Sequence, residues 1–467
     1  MRPSWIAGAL TVGVVFGAYG CSAKEAPPAT VAKPNVLLIA VDTLRADRLD
    51  CYGNTRELTP SIDRLAAEGV RFDQCFAHAP WTLPSFASLF SSLDPEQHGA
   101  GGSAPAFLGL RETIPTLPKS FRQAGYRTMA VVNVDFLSQP FGLMRGFEES
   151  SSVAYENNAE MRDARRTTDA ALHWLEGHRS ESFFLFVHYF DPHAEYRPPP
   201  EFRAKFAAEV DRHNDAFVFG TREQVGAVRA GLIHLKSEDV ARAEKLYDGE
   251  VAFTDREIGR LLDAVSHWGL DETTLVVFTA DHGEEFLDHG GWEHGHTLYD
   301  ELLHVPLVVR QKGRIVPRVV KEPVGLVDVA PTLCAHCAIP RPASFIGRDL
   351  APLSRGETIE PAVELAYGNF WGPALISLRD PEFKLILTPA TKGAPAKREL
   401  YRWREDPHEL SDVHESAPEV VERLTAELAR LDAERVRTGY GPGPRVSLSE
   451  SETKRLNQLG YTGEEKH

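Results

Sequence analysis

Four positions carry groups whose types and placement suit ester chemistry. Asp42 ends the apolar run "NVLLIAVD", Asp281 and His282 follow "TTLVVFTA", and Thr82 opens "TLPSFASLF" two residues before Pro84. A hydroxyl at a helix start can cap free backbone N–H groups, the commonest fate of Ser and Thr there. It can also attack an electrophile when a divalent cation stabilises its alkoxide. Two carboxylates, one imidazole and the Thr82 hydroxyl make a four-ligand set for such a cation. The imidazole favours zinc or manganese, with calcium or magnesium, which take oxygen shells, as the alternatives. The plain readings are a polar turn for "DHGE" and a buried, hydrogen-bonded carboxylate for Asp42.

A second layer of imidazoles lies in loops. His193 stands in "FDPHAEY", and His289, His294 and His296 in "DHGGWEHGHTLYDE". A transferring phosphoryl group needs donors for its equatorial oxygens and an acid for its leaving group, and imidazoles supply both near neutral pH. His193, His294 and His296 are the candidate substrate contacts, with His193 and His296 as candidate catalytic groups. Asp191, His193 and His296 offer an alternative role as ligands of a second metal about 4 Å from the first. His289 is the member most readily explained by packing.

These groups must be positioned by strands. The runs ending at Asp42, at "FFLFVHYFDPH" and at Asp281 are continuous and apolar, as in strands buried on both faces. Between them "TPSIDRLAAEGVRF" and "TIPTLPKSFRQAGYRTMAVV" alternate helix, Gly and strand, and residues 205–268 are helical in pattern. Such alternation predicts an α/β fold, a mostly parallel sheet between helical layers, with ligands beyond the carboxyl ends of the strands. The predicted catalytic domain spans residues 34–355. A small α+β subdomain follows over 356–440, built from "AVELAYGN", "ALISLRD", "FKLILTP" and the helix "APEVVERLTAELARLDAE". Residues 441–467 form a polar, Gly/Pro-punctuated tail expected to be loosely ordered.

Composition narrows the partners. The balance of 51 Lys and Arg against 67 Asp and Glu, a net −16, argues against a nucleic-acid backbone and leaves carboxylates for cations. Residues 1–21 have an early Arg2, an apolar stretch from Trp5 to Tyr19 and small residues before Cys21. That stretch falls short of the roughly 20 apolar residues of a membrane span and fits a signal peptide. "AYGC" has the form of a lipoprotein cleavage box, which predicts export to the periplasm or outer surface and a lipid anchor on Cys21. Residues 22–33 are then a tether. Cys334 and Cys337, in "PTLCAHCAIP", lack a second pair to complete a zinc site, leaving helix packing or a disulfide.

From Pro34 to "ELYRWREDPHEL" the chain resembles the sulfatase family of the alkaline phosphatase superfamily. "NVLLIAVDTLRAD", "CYGN", "TPSIDRLAAEGVRF", "LYDGEVAFTDREIGRLLDA", "TADHGE", "GHTLYDELLHVPLVV" and "DVAPTL" occur in family order. The resemblance implies a three-layer α/β/α domain, metal ligands at Asp42, Asp281 and His282, and a nucleophile at Thr82. It also implies substrate contacts from His193 and from the loop of His294 and His296. Formylglycine sulfatases carry a Cys or Ser followed by x-Pro-x-Arg, whereas "TLPSF" places Thr82 and Phe86 at those positions. Thr43 stands for a second aspartate, His282 for a frequent Asn, Gly295 or His296 for a Lys, and His304 for an Arg. Threonine is not converted to formylglycine, so none is expected. Thr82 with an Asp/Asp/His set is similar instead to the nucleotide phosphodiesterases and phosphoethanolamine or glycerophosphate transferases of the superfamily, which form a phosphothreonine. The expected activity is metal-dependent hydrolysis or transfer of a phosphate mono- or diester on a small-molecule, lipid or glycan substrate. The alternatives are a sulfate-ester hydrolase using unmodified Thr82, and an inactive binding protein of the same fold.

Overall fold

The apolar run Asn35–Val41 forms strand β1, and every residue in it is buried. A computed structural model of the chain describes residue 1 and residues 33–152, 163–208, 222–229, 231–368, 370, 374–391, 395–458 and 461. The expected signal peptide, Cys21 and nearly all of the tether lie outside the described residues.

Strands β2 (Val70–Phe76), β3 (Arg127–Val132), β4 (Glu149–Ser152), β5 (Phe183–Tyr189) and β6 (Thr274–Ala280) follow. A short hairpin of β7 (Glu285–Phe286) and β8 (Trp292–Glu293) precedes β9 (His304–Arg310), β10 (Arg318–Val320) and β11 (Val324–Gly325). The main sheet runs β10-β2-β9-β6-β1-β5-β3-β4, with β11 also on β2. Its pairings are parallel except at β9, which is antiparallel to β2 and β6. β1, β5 and β6, buried on both faces, form its centre. Helices α1 (Pro60–Ala67), α3 (Ala164–His178) and α4 (Ser237–His267) pack together. Helix α2 (Thr82–Ser91) packs instead with α5 (Val329–His336). This is the mostly parallel α/β/α architecture that the alternating pattern implied.

Register places the chemistry. Val41 pairs with Ala280, so the next residues, Asp42 and Asp281, leave two parallel strands side by side. Ala40 pairs with His188 on the other neighbour, which puts that imidazole on the face shared by Ala40 and Asp42.

The small subdomain is an antiparallel meander of β12 (Glu364–Gly368), β13 (Leu375–Arg379), β14 (Lys384–Thr388) and β15 (Lys397–Tyr401), covered by α6 (Pro418–Thr438). Leu365, Leu378, Leu385, Leu400, Leu424 and Leu428 form its own apolar cluster. It is clamped to the main domain by buried charge. Lys384 Nζ lies 2.7 Å from both Asp300 Oδ1 and Glu409 Oε1, and Arg379 also bonds Asp300 while lying over the Phe76 ring. Lys33 to His467 accordingly form one compact unit, without a break near residue 355.

The described part of the tail, residues 441–458 and 461, departs from expectation. Tyr440 N–H donates to Gln97 O, Gly443 to Gly99 O and Val446 to Phe107 O, and Glu450–Gln458 form helix α7. Polar composition concealed this docking because the partners are backbone groups, which any sequence carries.

Candidate active site

The hydroxyl of Thr82 is not a cap. Trp81 is the residue preceding α2, no side chain caps that end, and Thr82 is the helix's first residue with its side chain fully buried. The whole of α2 is buried, and Ser85 Oγ donates to Asp281 O at 2.6 Å, tying the helix start to the end of β6. Thr82 Oγ1 thereby lies 3.4 Å from His282 Nε2.

Asp42, Asp281 and His282 each offer a ligand atom within 4.8 Å of the others, the one such group of acid, thiol and imidazole among the described residues. His282 Nδ1–H donates to Gly283 O at 2.9 Å, which leaves the Nε2 lone pair directed at the cluster. That nitrogen is 3.6 Å from Asp42 Oδ1 and 3.4 Å from Asp281 Oδ2. Burial, then the nearby His294, holds the His282 imidazole well below its usual range, so it stays neutral. Both Asp42 oxygens and Asp281 Oδ2 are buried without a hydrogen-bond partner among the described residues. Burial, then Glu284, raises the proton affinity of Asp42; burial, then Asp42, raises that of Asp281. Buried carboxylates left unpaired are costly, and a divalent cation is the partner that satisfies two of them and a neutral imidazole together. The residues present therefore fit a metal.

The other predicted groups divide. His193 and His294 approach the cluster, with ring centres 5.0 Å apart and His294 4.6 Å from His282. His296 is turned to the β7/β8 hairpin, where Nε2 meets Glu285 Oε2 at 2.8 Å, so its hydrogen bond does not join it to the Asp42–Thr82–Asp281–His282 group. Asp191 Oδ2 accepts from Ala164 N–H at 2.6 Å at the start of α3, and burial followed by the Asp163 charge pushes its carboxyl up to about 7. Asp191, His193 and His296 do not assemble as a second metal group. His289 stacks on Tyr299 at 3.6 Å and bonds Glu301 Oε1 at 2.7 Å, a structural role as expected.

Three residues of the site escaped sequence reasoning. His188 is fully buried on β5 with Nε2 3.3 Å from Asp42 Oδ2, and burial pushes its imidazole down to about 3. Its signal was present, a single imidazole inside "FFLFVHYF". Glu284 Oε1 accepts from His294 Nδ1–H at 2.8 Å and so orients that ring. Tyr461, from the supposedly loose tail, is 3% exposed with its hydroxyl 2.8 Å from His193 Nε2 and 3.1 Å from His294 Nε2. At the position of the formylglycine-type arginine, Phe86 sets its ring edge-on to His188 at 5.3 Å and to Phe186 at 5.7 Å. Cys334 and Cys337 are both buried and free, as packing residues of α5 and its end.

The sulfatase family model matches residues 34–339, about two-thirds of the chain and all of the strands that carry the cluster. The chain belongs to the sulfatase family. It is an alkaline-phosphatase-like hydrolase, and a model of the C-terminal region of N-sulphoglucosamine sulphohydrolase also matches residues 288–434. It is 26% identical over 437 residues to the sulfatase YidJ of Escherichia coli (strain K12), covering 82% of this chain and 83% of that one. An N-acetylglucosamine-6-O-sulfatase of Bacteroides thetaiotaomicron is 25% identical over 469 residues, covering 82% of each. Among solved structures, BT4656 in complex with its substrate D-glucosamine-2-N,6-O-disulfate superposes with TM-score 0.73 at 21% identity, over 88% of this chain and 99% of that one. The phosphonate monoester hydrolase of Agrobacterium radiobacter superposes with TM-score 0.70 at 23% identity, over 86% and 96%. At these identities the two structures speak for the fold.

Proposed function

We propose that this sulfatase-family protein cleaves phosphate mono- or diesters through Thr82 as nucleophile. The observation that carries the reading is the buried Thr82 hydroxyl, 3.4 Å from His282 Nε2 and beside two carboxylates of which three oxygens have no hydrogen-bond partner among the described residues. A zinc or manganese ion held by Asp42, Asp281, His282 and the Thr82 oxygen would favour the Thr82 alkoxide and neutralise charge on a substrate oxygen. Thr82 Oγ then forms a bond to phosphorus as the ester P–O bond breaks, and the departing alcohol takes up a proton. Water, or an acceptor alcohol, then loses a proton and bonds to phosphorus as the Thr82 Oγ–P bond breaks, which returns free Thr82 and yields phosphate or the new ester. His193 and His294, whose Nδ1–H groups are held by Ala194 O and Glu284 Oε1, would donate from Nε2 to the substrate's remaining oxygens only as imidazolium ions. His188 Nε2 lies 3.3 Å from Asp42 Oδ2 on the β5 side, a close approach without a hydrogen bond.

A sulfate ester is the second reading, favoured by the names of the curated relatives. Threonine serves it less well, since it cannot expel sulfate by collapsing to a carbonyl as a formylglycine hydrate does. The test loads the purified protein with zinc or manganese and compares aryl phosphodiester, phosphomonoester and sulfate ester turnover, with Thr82→Ala as control. Phosphoester cleavage lost in Thr82→Ala supports the proposal; dominant sulfate cleavage replaces it with the second reading. A protein that binds no metal and turns over none of the three is a binding protein. We further propose that the protein is exported and anchored through a lipid on Cys21.

A further inference from the structure

The two edges of the main sheet carry different groups. Asp42 and Asp281 lie beyond the carboxyl ends of β1 and β6, whereas the chain enters β1 at the opposite, amino edge. There Asn35 N–H donates to Thr273 O at 2.7 Å, and Lys33 Nζ donates to Ala124 O at 2.6 Å in the turn before β3. β9 is antiparallel, so its end emerges at this same edge: Arg310 pairs with Val276, and Gln311 Nε2–H donates to Glu272 O at 2.8 Å. Strands of this length rise about 20 Å, which separates the edge from the acid cluster.

The segment leaving β9 is unlike the chain around it. Residues 312–321, "KGRIVPRVVK", carry Lys312, Arg314, Arg318 and Lys321 and no acid, in a chain of net charge −16. All four cations are exposed. Lys312 alone among them has an acid partner among the described residues, Asp271 Oδ2 at 3.6 Å. Val316 and Val319 lie between the cations, 73% and 46% exposed. Trp268, in the turn before β6, is half-buried with the Arg179 guanidinium 5.1 Å from its ring, and Ser266, Asp271, Lys312 and Ile315 line one cleft that joins the two segments. Glu68 and Asp271 are engaged by Arg310, which leaves Glu272 and Glu322 as the exposed acids beside the segment.

Exposed apolar side chains among cations, with a tryptophan at their margin, suit a surface that rests on anionic lipid. The tether agrees with this, because residues 22–33 reach at most about 40 Å when fully extended and so draw the amino edge toward whatever holds Cys21.

We propose that the amino edge of the sheet docks on an anionic phospholipid bilayer through residues 312–321 and Trp268, with Asp42, Thr82, Asp281 and His282 on the far side. The orientation rests on the lipid anchor at Cys21; the affinity of the edge for lipid does not. The active site then takes its ester from the aqueous side rather than from the bilayer beneath.

The test uses the chain begun at Ser22, which carries no lipid and includes the whole compact unit. It is sedimented with vesicles of equal parts phosphatidylglycerol and phosphatidylcholine, and with vesicles of phosphatidylcholine alone. Binding is expected to the anionic vesicles only, weakening as salt screens the charges. Each cation beside an anionic surface is worth about fivefold, so Arg314→Gln with Lys321→Gln should weaken binding about ten- to thirtyfold. Arg430→Gln with Arg437→Gln, the same charge change on α6, should leave it unaltered. A polarity-sensitive fluorophore on Val316→Cys should shift to the blue on the vesicles, and one on Val436→Cys in α6 should not. The proposal is overturned by absent binding, by equal binding to both kinds of vesicle, by equal loss in the two charge variants, or by a shift at Val436 in place of Val316. The segment is then a guarded sheet edge. Binding to an acidic polysaccharide but not to vesicles overturns it in favour of a polyanion. The two readings fail separately, since loss of the anchor is read from Cys21→Ala in cells and docking from a chain without lipid.

Discussion

Asp42→Asn should make the metal-free protein more stable and the metal-bound protein no better off. Asp42 and Asp281 bring ligand oxygens within 4.8 Å of each other, fully buried, with three of their four oxygens lacking a hydrogen-bond partner among the described residues. At an effective dielectric of about 20, two unit charges at that separation repel by roughly 3.5 kcal/mol. Proton uptake by one carboxylate caps the cost, so relief of about 2–3 kcal/mol is expected on replacing one by an isosteric amide. A unit spanning Lys33–His467 has an unfolding entropy near 0.9 kcal/mol/K by per-residue scaling, so the melting temperature rises by ~2–3 °C in EDTA. Zinc or manganese at about a thousand times its dissociation constant stabilises wild type by roughly 4 kcal/mol, or ~4 °C, and the variant by almost nothing. Scanning calorimetry of both proteins, with and without metal, reads all four numbers. A variant less stable than wild type in EDTA, or one that gains as much from metal, would refute the view that these carboxylates are strained in wait for a cation.

Three further outcomes are expected. Lys384→Met strands Glu409 and leaves Asp300 to Arg379 alone in the clamp between the two sheets, and should cost about 3–5 kcal/mol, read as a lowered urea midpoint; a midpoint within error of wild type would show the clamp to be neutral. His289 is drawn up from 6.5 to about 9 because Glu301 outweighs its burial. Its contribution, about 1–2 kcal/mol after discounting for half-burial, is thus complete below pH 6.5 and lost as pH rises through 9. The stability gap between wild type and His289→Gln should therefore close across that window, and a constant gap would contradict the pairing. Cys21→Ala should shift the protein from the membrane fraction to the soluble exported fraction, as followed by immunoblot, and an unchanged distribution would remove the lipid anchor.

Local pattern is sufficient for some of this protein. A continuous apolar run ending in an acid is legible residue by residue, so β1 with Asp42 and β6 with Asp281 and His282 could be placed at strand ends before any contact was known. Alternation of such runs with helical periods then implied a mostly parallel sheet, and a parallel sheet gathers those ends on one edge. Tertiary structure decided which edge groups meet. The pairing of Val41 with Ala280 sets Asp42 beside Asp281, and that of Ala40 with His188 brings in an imidazole whose run looked only apolar. His296 had the same local credentials as His294, yet the β7/β8 hairpin gives it to Glu285, while Glu284 holds His294 toward the site. Tyr461 lies in a stretch with no apolar period to betray it, and backbone bonds to residues 97–107, which leave no mark in side-chain pattern, carry it to His193. Periodicity records which face a residue shows to its own element; which distant element lies opposite is set by strand register and chain path, and only the folded chain contains them.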